Sequence, residues 1–412
     1  MLDGFRVLDL TTEFGFLCGK ILGDLGADVI KIEKPGGDIS RNIGPFYKNV
    51  AHPEKSLFWY AYNANKRGIT LNIEAHDGVE IFKRLVKGAD CIIESFPPGY
   101  MSKLGIGYSD LCSLNPRLIL ASISPFGQNG SYRDYKSSDM VAMAMSGFLY
   151  LNGDPDRAPV GLGLPHSYFF AAGDAAVGIM IAYYYRAISG RGQWVDVSLQ
   201  QSAALTQFSA IPWWELNKRI SQRNGPSRFI GLFGGFNARQ TWPCKDGFVI
   251  FILSAGTFGA KTNRELTKWM DGEGMAPEVM KQMNWETLDA ATMTAEFIHT
   301  YEEAAGNFFL THTMKELYEG AVEREMQLYP CYDCKDIARD PQLKDRGFWV
   351  NMRPTESDEE ITFPGPWVKM SAARCDIRRR APLIGEHDQE IYEDDLGLSR
   401  EQVIILKQSG VI

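Results

Sequence analysis

The sequence predicts an α/β protein: a Rossmann-like large domain built on a parallel sheet, plus a smaller α/β domain. Three observations carry this. Short β-rich runs alternate with helix-spaced apolar segments through the first third of the chain. The 412 residues, 45% apolar and 23% charged, have the composition of a folded globular protein of about two to three domains. The pattern then changes character after Gln201, where glycines and aromatic residues crowd residues 225–242.

The elements follow in order. Residues 5–10 (FRVLDL) read as a strand, 16–25 as a helix closing on Gly26, and 27–33 (ADVIKIE) as a second strand ended by Pro35-Gly36-Gly37, together one βαβ unit. A helix over 78–87 leads into a strand at 90–95, and 118–124 (LILASIS) reads as another buried strand. Residues 168–188 are apolar nearly all round, which predicts a buried helix; Gly190-Arg191-Gly192 ends it and 193–199 returns as a strand. Residues 247–253 read as a strand and 261–320 as amphipathic helices. Asp340-Pro341-Gln342 opens a loop, and a short amphipathic helix closes the chain.

Composition and motifs narrow the function. The balance of 43 basic against 51 acidic residues gives a net charge of −8, which repels phosphate backbones and argues against a nucleic-acid partner. Seven scattered cysteines do not form a disulfide framework, and the lone Cys331/Cys334 CxxC reads as two unrelated thiols. With no signal-peptide pattern and no apolar run long enough to span a bilayer, the expectation is a cytoplasmic protein without membrane partners. The turn after the first strand is Thr11-Thr12-Glu13-Phe14-Gly15-Phe16, not GxGxxG, so a dinucleotide is not held there in the usual mode. His52, His76, His166, His299, His312 and His387 lack ligand spacing, and no metal is expected. Lys34, the Asn65-Lys66-Arg67 run, Lys103 and Lys136 fall at strand ends and loops, where cations suit an anionic ligand; singly, each reads as a solvated surface charge.

Ordered along the chain are LDGFRVLDL (2–10), LGDLGADVIKIEKPGGD (22–38), NANKRGITLNI (63–73), DCIIESFPPGYMSKLGIGY (90–108), LNPRLILASISPFGQNG (114–130), SGRGQWVDVSL (189–199) and APLIGEHDQEIYEDDLGLS (381–399). In these the chain resembles the class III CoA-transferases of the CaiB/BaiF type. The resemblance implies an interlocked-ring dimer. It implies a large domain from 1–200, a linker at 201–225, a small domain at 226–325, and a linker with C-terminal return to the large domain at 326–412. Coenzyme A, as acyl-CoA substrate, would meet Glu13, Phe14, Gly15, Lys34, Leu71, Ser95, Phe96, Lys103 and Lys136. Ser95 stands where Asn is common, and Lys34 and Lys103 where Arg is, which keeps charge but loses bidentate geometry.

These transferases use an Asp nucleophile at the start of the helix before the GRGQ turn. Counting back from Gly190 to that position lands on Tyr168, with Ala171-Ala172 where the family has Ser/Thr-Gly. A phenol is neutral near pH 7 and has no acyl carbon. Asp174 is the fallback, but it lies about 9 Å along the helix and about 240° round from Tyr168. His166 as a base is weaker still. The racemases of the family need the same Asp and a His before Asp139, where this chain reads Tyr135-Lys136-Ser137-Ser138. The expectation is therefore a subunit with no catalytic residue of its own, paired with a catalytic homologue. Within the family the likeness to two-chain members implies succinyl-CoA as donor and benzylsuccinate as acceptor, in anaerobic toluene degradation. The alternatives are a homodimeric transferase using Asp174, or a non-enzymatic CoA-binding scaffold.

Overall fold

A computed structural model describes residues 1–230, 236–289, 293–354 and 358–412. Part of the glycine- and aromatic-rich stretch 225–242 (231–235) thus lies outside the described residues. The chain divides into two compact units: residues 1–149, 161–216 and 342–412 form the first, and 150–160 with 217–341 the second.

The first unit is built on a six-stranded parallel sheet of order β3-β2-β1-β4-β5-β6. Its strands are β1 Arg6–Leu10, β2 Asp28–Glu33, β3 Lys66–Thr70, β4 Cys91–Glu94, β5 Ile119–Ser124 and β6 Trp194–Ser198. The helices that position the site are α1 Phe16–Asp24, α2 Leu57–Tyr62, α3 His76–Lys87, α4 Tyr100–Lys103, α5 Tyr108–Leu114, α6 Asp139–Met145 and α7 His166–Ser189. Strands covered on both faces must be apolar on both, and the two-residue alternation sorts them. Val7, Val29, Ile93, Ala121 and Ile123 pack under α1 and α7 on one face. Leu8, Ile30, Ile69, Ile92 and Leu120 pack under α3, α5 and the returning C-terminal residues Ile391, Tyr392, Val403 and Ile412 on the other. Gly190, at φ 74° with its N–H on the Arg186 carbonyl, ends α7 in the left-handed region that glycine tolerates.

One group of charges lies inside this apolar frame. Asp9, in the middle of β1, is fully buried; the Lys66 ammonium donates to its Oδ2 (2.7 Å), to the Phe16 carbonyl (2.9 Å) and to Asn63 Oδ1 (2.8 Å). Lys31, also fully buried, donates to the Thr11 carbonyl at 2.5 Å. Both ammonium groups lie over the Phe16 ring, 5.2 and 5.3 Å from its centroid. Burial by itself would raise the Asp9 carboxyl, but Lys66 and Lys31 beside it hold it below the ordinary carboxylate range. Lys66 and Arg67 are therefore strand residues at the entry of β3, not loop cations open to a ligand as the sequence reading had them.

The helix over 168–188 is longer than expected and is not buried all round. Val177, Ile181, Tyr184, Tyr185 and Ile188 are exposed, because the sheet covers only one face of α7. Asp340-Pro341-Gln342 leads into a short helix, Pro341–Asp345, rather than a loop; proline is well suited to a first helical position.

In the second unit a three-stranded antiparallel sheet pairs Phe248–Phe251 with Thr241–Pro243 and Leu328–Pro330. Helices Gly256–Gly272, Ala295–Thr311 and Met314–Glu323 enclose a core that includes Trp242, Phe251, Tyr301, Phe308 and Phe309. Among the described residues no helix is long and apolar enough to cross a membrane.

Gly19 lets α1 lie directly on the charge group: a Cβ there would sit 2.4 Å from Asp9 Oδ2. Gly19→Ala must push the carboxylate off Lys66, and a loss of about 2–3 kcal/mol is expected from overpacking and a loosened buried pair. Urea denaturation measures it; a loss of a few tenths would mean that the cluster tolerates displacement.

Candidate functional site

In an open parallel sheet the crevice for a ligand lies beyond the carboxyl ends of the strands, where the strand order reverses. Here that place is between β1 and β4. Its two walls are the loops that follow these strands, and they are tied together: Thr12 N–H donates to Ser95 Oγ at 2.8 Å, and the two hydroxyls lie 3.1 Å apart. The β1 loop is anchored from below, since Asp9 Oδ1 accepts from Thr11 N–H (2.9 Å) and Thr11 Oγ1 (2.6 Å).

Of the residues implied as CoA contacts, Glu13, Phe14 and Gly15 form this loop. Glu13 Oε2 accepts from Ser40 Oγ (2.7 Å), and Phe14 packs on the Tyr168 ring with centroids 4.7 Å apart. Gly15 has no room for a side chain, since a Cβ would lie 2.4 Å from Thr11 Cγ2. Ser95 is buried on Thr12, and Leu71 is a core residue whose side chain offers nothing to a ligand. Phe96, Lys34, Lys103 and Lys136 are at least partly exposed at this same end of the sheet. Lys34 is ion-paired with Glu74 at 3.0 Å. Among the described residues neither Lys103 nor Lys136 is ion-paired.

Tyr168 stands in the first turn of α7, nearly buried, and its hydroxyl accepts from the Asp139 N–H at 3.0 Å. In return Asp139 Oδ1 accepts from Ser167 N–H (2.8 Å) and Ser167 Oγ (2.6 Å), placing a carboxylate at the positive end of α7. Burial pushes the phenol up to about 12, with Glu13 and Asp139 adding to the rise and the Asp139 N–H opposing it. The group is a neutral hydrogen-bonding hydroxyl. Asp174 is exposed on another face of α7, as the helical angle requires, and among the described residues it has no hydrogen-bond partner. Asp139 is the carboxylate the sequence reading passed over. A polar pair before a helix (Ser138-Asp139) is its local signal, but nothing local points to α7.

A second group escaped the sequence entirely. Glu94, at the end of β4 and 5% exposed, lies at the floor of a cleft of about 320 Å³ lined by Tyr100, Tyr108, Ser122, Arg133 and Trp194. It accepts from the Phe96 N–H at 2.7 Å, and no cation pairs with it among the described residues. Burial pushes its carboxyl up to about 7 against the opposing bonds from Ser122 and Phe96, with the Asp196 charge adding to the rise. No group of three or more potential metal ligands occurs among the described residues.

The model of CoA-transferase family III matches residues 2–388. The chain is 34% identical to the succinyl-CoA:(R)-benzylsuccinate CoA-transferase subunit BbsE of Thauera aromatica, over 94% of this chain and 92% of that one. It is 30% identical to the succinyl-CoA–D-citramalate CoA-transferase of Chloroflexus aurantiacus, over 100% of this chain and 98% of the relative. It is also 30% identical to the succinyl-CoA:glutarate CoA-transferase of Mus musculus, over 100% and 90%. Among solved structures, a CaiB/BaiF family protein from Brucella suis superposes with a TM-score of 0.81 at 26% identity, over 95% of this chain and 98% of that one.

The raised Glu94 carboxyl has a thermodynamic consequence. In the unfolded chain it titrates in the ordinary carboxylate range, so between that range and about pH 7 the folded protein holds a proton the unfolded chain has released. The associated stability is fully present below the unfolded pKa and lost as pH rises to about 7. Wild type should lose on the order of 2–3 kcal/mol between pH 4.5 and 8 that Glu94→Gln does not lose. Urea denaturation across that range checks it; parallel pH profiles for the two proteins would refute it.

Proposed function

The chain belongs to CoA-transferase family III, and from that premise we propose that it is the non-catalytic subunit of a two-chain CoA-transferase, acting in the cytoplasm beside a homologous partner that carries the nucleophile. The observation that carries this reading is Tyr168 at the nucleophile's place. In this chemistry an enzyme carboxylate attacks the thioester carbonyl, CoA thiolate leaves, and a mixed anhydride forms. The thiolate then attacks the enzyme's own acyl carbon, expelling the donor acid and leaving CoA as an enzyme thioester. The acceptor carboxylate attacks that thioester, and CoA returns to the new acyl group through a second anhydride. The enzyme thioester at the centre of this sequence needs a carbonyl carbon on the enzyme side chain. Tyr168 has none, and its phenol stays protonated in any ordinary buffer.

Two further observations support a partner. The relative from Thauera aromatica is named as a subunit. Large apolar residues stand in solvent along α7 (Val177, Ile181, Tyr184, Ile188) and in the segment that follows (Phe208, Ile211, Trp213, Leu216), a degree of exposure typical of interaction surfaces. The interlocked-ring arrangement implied by the resemblance would cover such faces. Succinyl-CoA as donor and benzylsuccinate as acceptor rest on the likeness to that same relative. The other relatives reported above carry different acids in their names and share succinyl-CoA with it.

Co-expression with an Asp-bearing homologue should yield a stable complex that transfers CoA from succinyl-CoA. Replacing the partner's aspartate by Ala should lower kcat by about a thousandfold or more, while Tyr168→Phe and Asp174→Ala in this chain leave it within about twofold. Turnover by this chain alone, or an enzyme–CoA thioester mapped to one of its peptides after borohydride or hydroxylamine treatment, would overturn the proposal.

A further inference from the structure

Two of the implied CoA contacts are already engaged by the protein itself. The Lys34 ammonium, after β2, donates to Glu74 Oε1 at 3.0 Å, and the Tyr100 hydroxyl donates to the same oxygen at 2.5 Å. The Tyr100 ring in turn lies against Phe96, with centroids 4.7 Å apart and planes tilted by 32°. Glu74 is set in place by its own N–H on Asn72 Oδ1 (3.1 Å). Loops following β2, β3 and β4 thus meet through four side chains at the strand ends. A phosphate needs an uncommitted cation, and an adenine needs an uncovered apolar plate. Here a carboxylate neutralises the cation and a tyrosine ring covers the plate.

We infer that Glu74 and Tyr100 form a latch that keeps CoA out of this chain's own cleft, Glu74 standing in for a phosphate on Lys34 and Tyr100 for a base on Phe96. The inference rests on the proposed function above and on the family resemblance, which implies Lys34 and Phe96 as the place where CoA would enter. The latch is held by exposed groups: Lys34 and Glu74 side chains are 60% and 48% accessible. Its strength is therefore modest, and it acts mainly through charge. With Glu74 present, Lys34 offers an incoming phosphate no net positive charge and a nearby negative one. Bonds from Tyr100 and Lys34 hold the Glu74 carboxyl below its ordinary range, so the negative charge persists through neutral pH. In a complex of two homologous chains, this confines CoA to the subunit that can react with it.

The test counts CoA bound per complex by isothermal titration calorimetry, using this chain co-purified with its catalytic partner. One CoA per pair of chains is expected for wild type. Glu74→Gln should strengthen a second, weaker site about fivefold to tenfold, as removal of one charge about 4 Å away in a watery setting implies. Adding Tyr100→Ala should bring a further gain of about fivefold to tenfold. Lys34→Ala on that background should erase the gain from Glu74→Gln, and the gain should shrink as salt rises. Two CoA bound equally tightly by wild type, or a double variant with an unchanged count and affinity, would overturn the latch. Activity that still requires the partner's aspartate would in either case leave the subunit assignment standing. Turnover by this chain alone would instead remove that assignment.

Discussion

The arrangement of the crevice depends on one buried ion pair, Asp9 with Lys66. A carboxylate and an ammonium at 2.7 Å, both without solvent exposure, are stable only because every remaining donor and acceptor is matched. Removing either partner from such a pair leaves a bare buried charge, a penalty of about 3–5 kcal/mol. The same contacts tie β1 to β3, bring in β2 through Lys31, and receive the first carbonyl of α1 from Phe16. Because Asp9 also holds Thr11, the loop that carries Glu13 and Phe14 inherits its position from this pair rather than from packing. A hydrophobic triad of equal volume would stabilise the sheet as well, but it would not orient the loop.

The central strands β2, β1, β4 and β5 were legible because they are covered on both faces and so read as nearly continuous apolar runs; residues 118–124 differ from β5 by a single residue at the start. What could not be read was the partner of each apolar or charged group. Residues 168–188 were read as a buried helix since periodicity reports how apolar a face is, not whether this chain covers it, and Tyr184 and Ile188 stand in solvent. Lys66 and Arg67 looked like ligand-binding cations because their carboxylates, Asp9 and Asp28, lie 57 and 39 residues away. The candidate site shows the same limit. Lys34, Lys103 and Lys136 follow β2, β4 and β5 in the chain and were proposed from loop position alone, whereas Glu74, Glu94 and Asp139 acquire their meaning from residues distant in sequence.

Under the proposed subunit role, Tyr168 stands at a reactive position of which reactivity is not required. An aspartate there would bring its charge next to Glu13 and Asp139, the two carboxylates already acting on the phenol. A phenol in the same place adds no charge and packs on Phe14; its oxygen accepts the Asp139 N–H, while Asp139 completes the exchange at Ser167. The start of α7 is thereby capped by α6, and two helices that would otherwise present open N–H groups close one another. The position is a joint between α6 and α7.

The Tyr168 and Glu74–Tyr100 contacts share a logic under the proposed role. In each, a group of this chain occupies the place that chemistry or substrate would claim, and in each the occupant is bonded rather than merely bulky. In the proposed two-chain enzyme, a non-catalytic chain with an open cleft would bind acyl-CoA unproductively and compete with the subunit that turns it over. A subunit that folds its own side chains into the vacated contacts avoids the competition. On that proposal its contribution would be architectural: an apolar surface along α7 for a homologous chain, on a sheet whose central charge is fully paired.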